Sequence, residues 1–333
     1  MATIRDVSKI AGVSVATVSR TLSKPDKVSA KTRKIVEEAI LKTNYKPDIL
    51  ARNFRTRKSS TIVVLVPDIA NPFFSRVIRG IEQTAQRLGY AVLLGDTQGE
   101  RSREITYANM VKTSQADGII QLDSHVPFEK NNKHGAPIVN ACDCIRDTDI
   151  PTIEIDNALA AQKMTEYLIS LGHQNIGVIT GPINSTITQD RLKGYQQALE
   201  EASIDFLFEN IKLGDHSIQS GAKATLDLMN NKNPPSAIFC MNDEMAIGAI
   251  KQVKDMGLSV PDDISIAGFD DISFAKYFDP SLTTISQPAE EFGSKAMAML
   301  YDIINKNDPV QKNTFLDFEL IIRASTGANK NAS

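Results

Sequence analysis

The sequence predicts a small all-α helix-turn-helix head joined to a two-lobed α/β body with parallel sheets. Three observations carry that expectation. Residues 1–60 hold fourteen Lys and Arg against five Asp and Glu, a net of +9, whereas the remainder nets −12 inside an overall charge of −3. Residues up to about 45 show three short amphipathic patterns of helical period, the first two separated by a glycine turn. From Thr61 onward, short β-branched runs alternate with helical patterns, the signature of wound parallel sheets. At 333 residues and 36.5 kDa the chain is longer than one core usually serves.

Composition bounds the function classes. Hydrophobic residues at 42% and charged residues at 23% exclude a disordered chain, a collagen-like repeat and a disulfide scaffold. Apolar runs such as Thr61 to Pro67 are too short to span a bilayer. The opening MATIRDVSKIAG lacks the basic-then-apolar pattern of a secretory signal. With three cysteines, the expectation is a cytoplasmic, reduced protein with no membrane partner.

In the head, Thr3-Ile4-Arg5-Asp6 fits a capping box, the Thr3 hydroxyl accepting from first-turn amides and Asp6 favouring the positive helix end. A helix then runs to about Ala11 with Ile4, Val7 and Ala11 on one stripe, and Gly12 can stop it in a left-handed conformation. Val13 suits a buried plug, and Ser14 suits the cap of a second helix over Val15–Leu22, with Val18 and Leu22 facing the core. A third helix follows Ser29 toward Thr43, with Ile35, Val36, Ala39 and Ile40 inward. Val15, Ala16, Ser19 and Arg20 are left outside. Small side chains let such a helix enter a major groove closely, methyl groups meeting thymines, hydroxyls meeting phosphates and Arg20 donating twice to a guanine. The plain alternative is a capped three-helix domain whose hydroxyls only satisfy backbone amides.

The body offers strand candidates at 61–67, 90–96, 117–123, 137–141, 152–156, 175–180, 237–241 and 264–269. Between the first two lies a helix, Ser75–Leu88, with Val77, Ile78, Ile81, Ala85 and Leu88 on one face. Two similar lobes are expected, each repeating strand, helix ending Leu-Gly, then strand. No G-x-G-x-x-G, P-loop or G-x-S-x-G occurs, so dinucleotide, nucleotide-hydrolysis and acyl-transfer chemistries lack their signatures. Cys142 and Cys144 read as neighbours on one strand, and His125, His134, His173 and His216 are scattered. The expectation is no enzyme, no cofactor and no metal.

Ligand binding has better support, because wound α/β lobes meet ligands at the carboxyl ends of their strands. Those ends carry Asp68, Phe73-Phe74, Asp123, Asp156, Asn242-Asp243 and Asp270-Asp271, and Arg191 begins a helix. Acids and an arginine can hold sugar hydroxyls, and an aromatic face can stack on a flat ring. Core packing of Phe73-Phe74 and helix capping by the acids are the competing readings.

The segment DVSKIAGVSVATVSRTLSKPDKVSAKTRKIVEEAILKTNYKPDILAR resembles the head of LacI-family transcriptional repressors, and the likeness extends through the chain. It implies a body similar to periplasmic sugar-binding proteins, with 1–47 as DNA-binding domain, 48–60 as hinge linker and 61–333 as effector-binding and dimerisation domain. It also implies that Val15, Ala16 and Arg20 read bases, while Thr17 and Ser19, with the first-helix start near Thr3, grip phosphates, and Ser14, the cap of the reading helix, counts with them as DNA-binding. In the family the hinge folds on DNA and inserts an apolar wedge into the minor groove. The wedge falls on Phe54, beside Asn53, where better-known members carry leucine.

The family's effector-domain landmarks appear as DIANPFFSRVIRGIE, GVITGP…DRLKGY, CMNDEMAIGA and SIAGFDD…PSLTTISQP. They place Phe73, Phe74, Arg191, Asp243 and Asp270 on effector-contacting positions. Ser185, Ile187 and His216 depart from the pattern of purine-responsive members. Over TIVVLVPDIANPFFSRVIRGIE, HQNIGVITGP and LDFELIIRAST the chain is most similar to nucleoside-responsive members. That likeness implies control of nucleoside uptake and catabolism genes, induction by a nucleoside such as cytidine, and binding beside the cyclic-AMP receptor protein. A homodimer on a near-palindromic operator is expected, and no leucine heptad after Arg323 suggests a tail-mediated tetramer. The alternatives are a family member answering a sugar or other metabolite, and a solute-binding protein whose basic head is incidental. Export without salt-dependent DNA binding would mark the last.

Overall fold

The computed structural model describes residues 2–23, 25–45, 58–128, 136–146, 148–307 and 312–330. The chain divides into two compact units, Met1–Ser59 and Ser60–Ser333. Asn53 and Phe54, and with them most of the expected hinge, lie outside the described residues.

The head packs α1 (Ile4–Ala11), α2 (Val15–Ser23), a single 3-10 turn at Pro25–Lys27 and α3 (Ala30–Thr43). Val7, Ala11, Val18, Val36 and Ala39 form its core, with Ile4, Val13, Ile40 and Tyr45 against it. Gly12 closes α1 at φ 65, a left-handed position that costs glycine nothing. Ser8 Oγ donates to Val13 O at 2.6 Å and holds the turn. At the other end the Asp6 carboxylate accepts from the Thr3 amide and hydroxyl at 2.9 and 2.8 Å. These bonds hold the Asp6 carboxyl below its usual pKa. Two expected core positions differ: Leu22 and Ile35 are exposed. The buried stripe of α2 runs through Val18 and Thr21 instead, an i, i+3 step. Thr21 satisfies its hydroxyl on Thr17 O at 2.9 Å, so a polar residue can take the inward place.

In the body, the first lobe is built from β1 (Thr61–Val66), α4 (Pro72–Leu88), β2 (Ala91–Asp96), α5 (Arg101–Lys112), β3 (Gly118–Gln121), β4 (Ile138–Ala141) and β5 (Thr152–Glu154). The second holds α6 (Asn157–Ser170), β6 (Ile176–Thr180), α7 (Thr186–Glu201), β7 (Ile211–Leu213), α8 (Ile218–Met229), β8 (Ala237–Cys240), α9 (Asp243–Asp255), β9 (Ser265–Asp270) and β10 (Thr283–Ser286). The chain then returns to the first lobe with α10 (Ala289–Asn305) and β11 (Asn313–Phe315), and ends in the second with β12 (Glu319–Ile321).

Strand order is β11-β5-β4-β3-β1-β2 in one sheet and β12-β10-β9-β8-β6-β7 in the other. Apart from the returning edge strands, the two lobes share one winding order, and every described pairing is parallel except β10 with β12. The expected fold class is therefore borne out.

The central strands are buried on both faces, which explains their unbroken apolar runs. The helix expected from Ser75 starts earlier, at Pro72, because Asn71 caps it and proline is preorganised at its first turn. Sequence periodicity did not reveal β7, β10, β11 or β12. Strands of three or four residues carry too few alternations to register.

Candidate functional sites

The outward face of α2 is set by its cap. Ser14 Oγ accepts from the Thr17 amide at 3.1 Å and lies 2.9 Å from Thr17 Oγ1, so both hydroxyls are engaged at the helix start. Beyond them Val15, Ala16 and Arg20 are exposed, while Thr17 and Ser19 are half-buried. With Val18 driven into the core, the face presents methyl groups and one guanidinium along a single helix. That is a chemistry for base edges rather than for packing. Thr3 spends its hydroxyl on Asp6, so a phosphate at that helix start would compete with this bond.

The second site lies where strand ends of the two lobes converge. Its centre is Arg191 on α7, almost fully buried. The guanidinium stacks 3.5 Å over the Phe269 ring and donates to Asn157 Oδ1 at 2.9 Å and to Met241 O. Burial lowers its pKa to about 10, with Asp270 and Asp143 pulling it back up, so it keeps its charge at neutral pH.

Asp270, at the end of β9, accepts from Gln287 Nε2 at 2.7 Å. Burial pushes its carboxyl up to about 7 against the pull of Arg191. Its φ of 111 and the φ of 51 at Asp271 strain the turn after the strand. Asp143, after β4, accepts from the Cys144 amide at 2.7 Å and is likewise pushed up to about 7 by burial.

His216, also at positive φ, sits against the Gly181 backbone: a Cβ on Gly181 would lie 2.2 Å from the ring, so the position is closed to other residues. Burial and then Arg191 lower the His216 pKa to about 4, so the imidazole is neutral and offers one donor and one acceptor. The buried Thr188 hydroxyl beside them has no partner among the described residues.

The other predicted ligand residues are engaged in contacts of their own. Phe73 is buried in the core, edge-on to Phe292 at 6.4 Å, while Phe74 is half-buried, 5.4 Å from Phe73. Asp156 is exposed and caps α6 by accepting from the Leu159 amide at 2.9 Å. Asp243 is fully buried and accepts from Thr284 Oγ1 at 2.6 Å and the Ile272 amide at 2.8 Å. Its carboxyl is raised well above the usual range by burial and then by Asp270. Helix capping, the competing reading for the acids, accounts for Asp156 but not for Asp243, which is spent on bonds inside the second lobe while Asn242 caps the helix.

Asp123 joins an adjoining group at the end of β3, with His125 Nδ1 at 3.5 Å and, through His125, Glu104 at 3.8 Å, near enough to act on Asp143 and His216. Burial raises the Asp123 carboxyl, but His125 and Ser124 outweigh it and hold it below its usual range.

Asp143 was missed by sequence reasoning although a signal exists. Asp68, Asp123, Asp143 and Asp156 each stand two residues past the end of a first-lobe strand. Contacts across the lobes frame the site: Asn71 Nδ2 donates to Glu244 Oε2 at 3.0 Å, and Arg146 pairs with Asp190.

Comparison with known proteins adds the following. A family model for bacterial regulatory proteins of the lacI family matches residues 3–48. One for periplasmic binding proteins and the sugar-binding domain of the LacI family matches residues 59–324. The chain is 43% identical over 330 residues to the HTH-type transcriptional repressor CytR of Escherichia coli (strain K12), covering 98% of this chain and 97% of that protein. Its structure matches the lac repressor dimer bound to operator and the anti-inducer ONPF with a TM-score of 0.86 at 29% identity, covering 98% and 99% of the two chains. A LacI-family regulator from Enterococcus faecium with bound ribose matches with a TM-score of 0.72 at 28% identity, over 81% of this chain and 100% of that one.

Proposed function

This chain belongs to the LacI family of bacterial transcriptional regulators and is a repressor close to CytR, and from that premise we propose that it is a cytoplasmic homodimer released from its operator by a nucleoside, cytidine first among them. It would govern genes of nucleoside uptake and catabolism, binding beside the cyclic-AMP receptor protein. Two copies would set α2 in successive major grooves of a near-palindromic site. Val15 and Ala16 would meet thymine methyls, and Arg20 a guanine edge. The phosphate contacts of Thr3, Ser14, Thr17 and Ser19, and the minor-groove contacts of Asn53 and Phe54, belong to the same proposal.

The observation that carries the effector reading is the buried Arg191 set among Asp143, Asp270 and a neutral His216. A charged guanidinium and carboxylates suit the paired hydroxyls of a ribose. A neutral imidazole suits the carbonyl and amine edge of a pyrimidine, and half-buried Phe74 offers a face for its ring. Nucleoside binding would act through differential affinity for two arrangements of the body, one of which favours the operator-bound state.

A sugar effector is the second reading, favoured by the ribose bound to the Enterococcus faecium relative. Calorimetric titration of the full chain with cytidine, uridine, adenosine and ribose separates the two, followed by operator gel shifts with each binder. Cytidine is expected to bind tightest and to weaken operator binding. Ribose binding as tightly as cytidine would transfer the effector role to the sugar, and no binding by any of them would end the nucleoside reading.

A further inference from the structure

We propose that Glu104, Asp123 and His125 form a binding site for a divalent first-row transition-metal cation of the manganese-to-zinc series. α5 delivers Glu104, and the residues just past β3 deliver Asp123 and His125. One ligand atom from each lies within 4.8 Å of the others. His125 Nδ1 is 3.5 Å from Asp123 Oδ1 and 3.8 Å from Glu104 Oε1. Both distances exceed an ordinary N–H···O bond. They are close to the separation two ligands adopt on one ion: bonds of about 2.1 Å meeting at a tetrahedral angle set the ligand atoms about 3.4 Å apart.

An independent observation points the same way. The Glu104 side chain is 1% exposed, and neither of its oxygens has a hydrogen-bond partner among the described residues. Gln121, the last residue of β3, is fully buried, and its amide faces the Glu104 carboxyl without closing an ordinary hydrogen bond to it. Asn140 donates through Nδ2 to Asp123 O at 2.7 Å while its Oδ1 has no partner. Buried polar atoms are ordinarily satisfied, so a buried carboxylate left open beside Asp123 and His125 calls for a ligand that accepts its lone pairs. A cation does so and neutralises two acids at once.

The donor set narrows the ion. Imidazole disfavours calcium and magnesium, and two carboxylates without a thiolate disfavour copper(I). His125 is about half exposed, which gives the ion an entry path. Once bound, the ion would tie α5 to the end of β3, on the carboxyl-terminal side of the first sheet.

The test uses the full chain without an affinity tag, stripped with chelator. It is titrated with Mn²⁺ by electron paramagnetic resonance and with Co²⁺ by visible absorption. One saturable ion per chain is expected, with thermal stability rising on binding. His125→Ala and the isosteric Glu104→Gln should each weaken binding at least about tenfold. Asp262→Asn, which removes an exposed partner of Lys330, should leave binding unchanged. Absence of saturable binding up to about 1 mM, or binding undiminished in both variants, overturns the proposal, and the nucleoside reading stands or falls separately.

Discussion

The outer face of α2 and the cleft around Arg191 are both polar, yet they are built on opposite principles. On α2 the packing is done by Val18 and Thr21, and the cap by Ser14, so Val15, Ala16 and Arg20 are left exposed. In the cleft the polar groups are buried and bonded to one another. Arg191 is held by Asn157 and Phe269, Asp270 by Gln287, and Asp243 by Thr284 and Ile272. A residue of the first kind can be exchanged at the cost of recognition alone. One of the second kind takes part in folding as well, so recognition and stability change together.

The sharpest break in that comparison comes from Asp243→Ala. It strands the Thr284 hydroxyl and the Ile272 amide inside the second lobe. Each unpaired buried donor costs about 1–3 kcal/mol, so a loss of roughly 2–6 kcal/mol is expected by urea unfolding. A loss below about 1 kcal/mol would mean that the burial cost of the carboxyl cancels its two bonds. Asp243 would then be retained for a ligand rather than for the lobe.

A smaller effect of opposite sign is expected from Asp270→Asn. Burial lifts the Asp270 carboxyl to about 7, above its unfolded value of roughly 3.9. Between those values the folded chain holds the proton that the unfolded chain releases. The stability linked to this group is therefore fully present below pH ~4 and is lost as pH rises to about 7. Asparagine keeps an acceptor for Gln287 and carries no charge. The variant should gain on the parent as pH rises from about 4 to 7 and hold that gain above it, by a few degrees in Tm at pH 7.5. Asp143, pushed up to about 7, and His216, lowered to about 4, titrate in both proteins, so the difference reports Asp270 together with the neighbours it acts on, Asp243 and Arg191. A Tm gap that did not change with pH would show Arg191 holding the carboxylate ionised throughout.

How much of this was legible in the sequence follows the same division. The head was readable almost residue by residue, because caps, a glycine stop and a 3.6-residue period are local signals. Leu22 and Ile35, both at the margin of a buried face, escaped because tertiary packing sets the exact direction of that face. In the body, β1, β6 and β8 announced themselves as buried apolar runs, and the carboxyl-end rule found Asp123, Asp243 and Asp270. It could not say which oxygens are spent internally. Asp156 turned out to cap α6, and Phe73 to fill the core. The Glu104–His125 pairing joins a helix to a loop through space, and no spacing in the chain encodes it.

Arg20→Ala tests the other half of the comparison, with the smallest expected change in stability. Arg20 is exposed on a helix whose cap and core contacts lie elsewhere, and alanine is the better helix former. Unfolding should therefore shift by no more than about 0.5 kcal/mol. Operator binding, measured by fluorescence anisotropy at fixed salt, should weaken by about 1–3 kcal/mol on the preferred site, roughly fivefold to 150-fold. The loss should fall mainly on that site, because a side chain that reads a base edge supplies discrimination, whereas one that meets phosphate supplies uniform affinity and salt dependence. If every operator variant weakened equally and the salt slope dropped by about one, Arg20 would be a phosphate contact. The exposed face of α2 would then owe its specificity to the methyl groups of Val15 and Ala16.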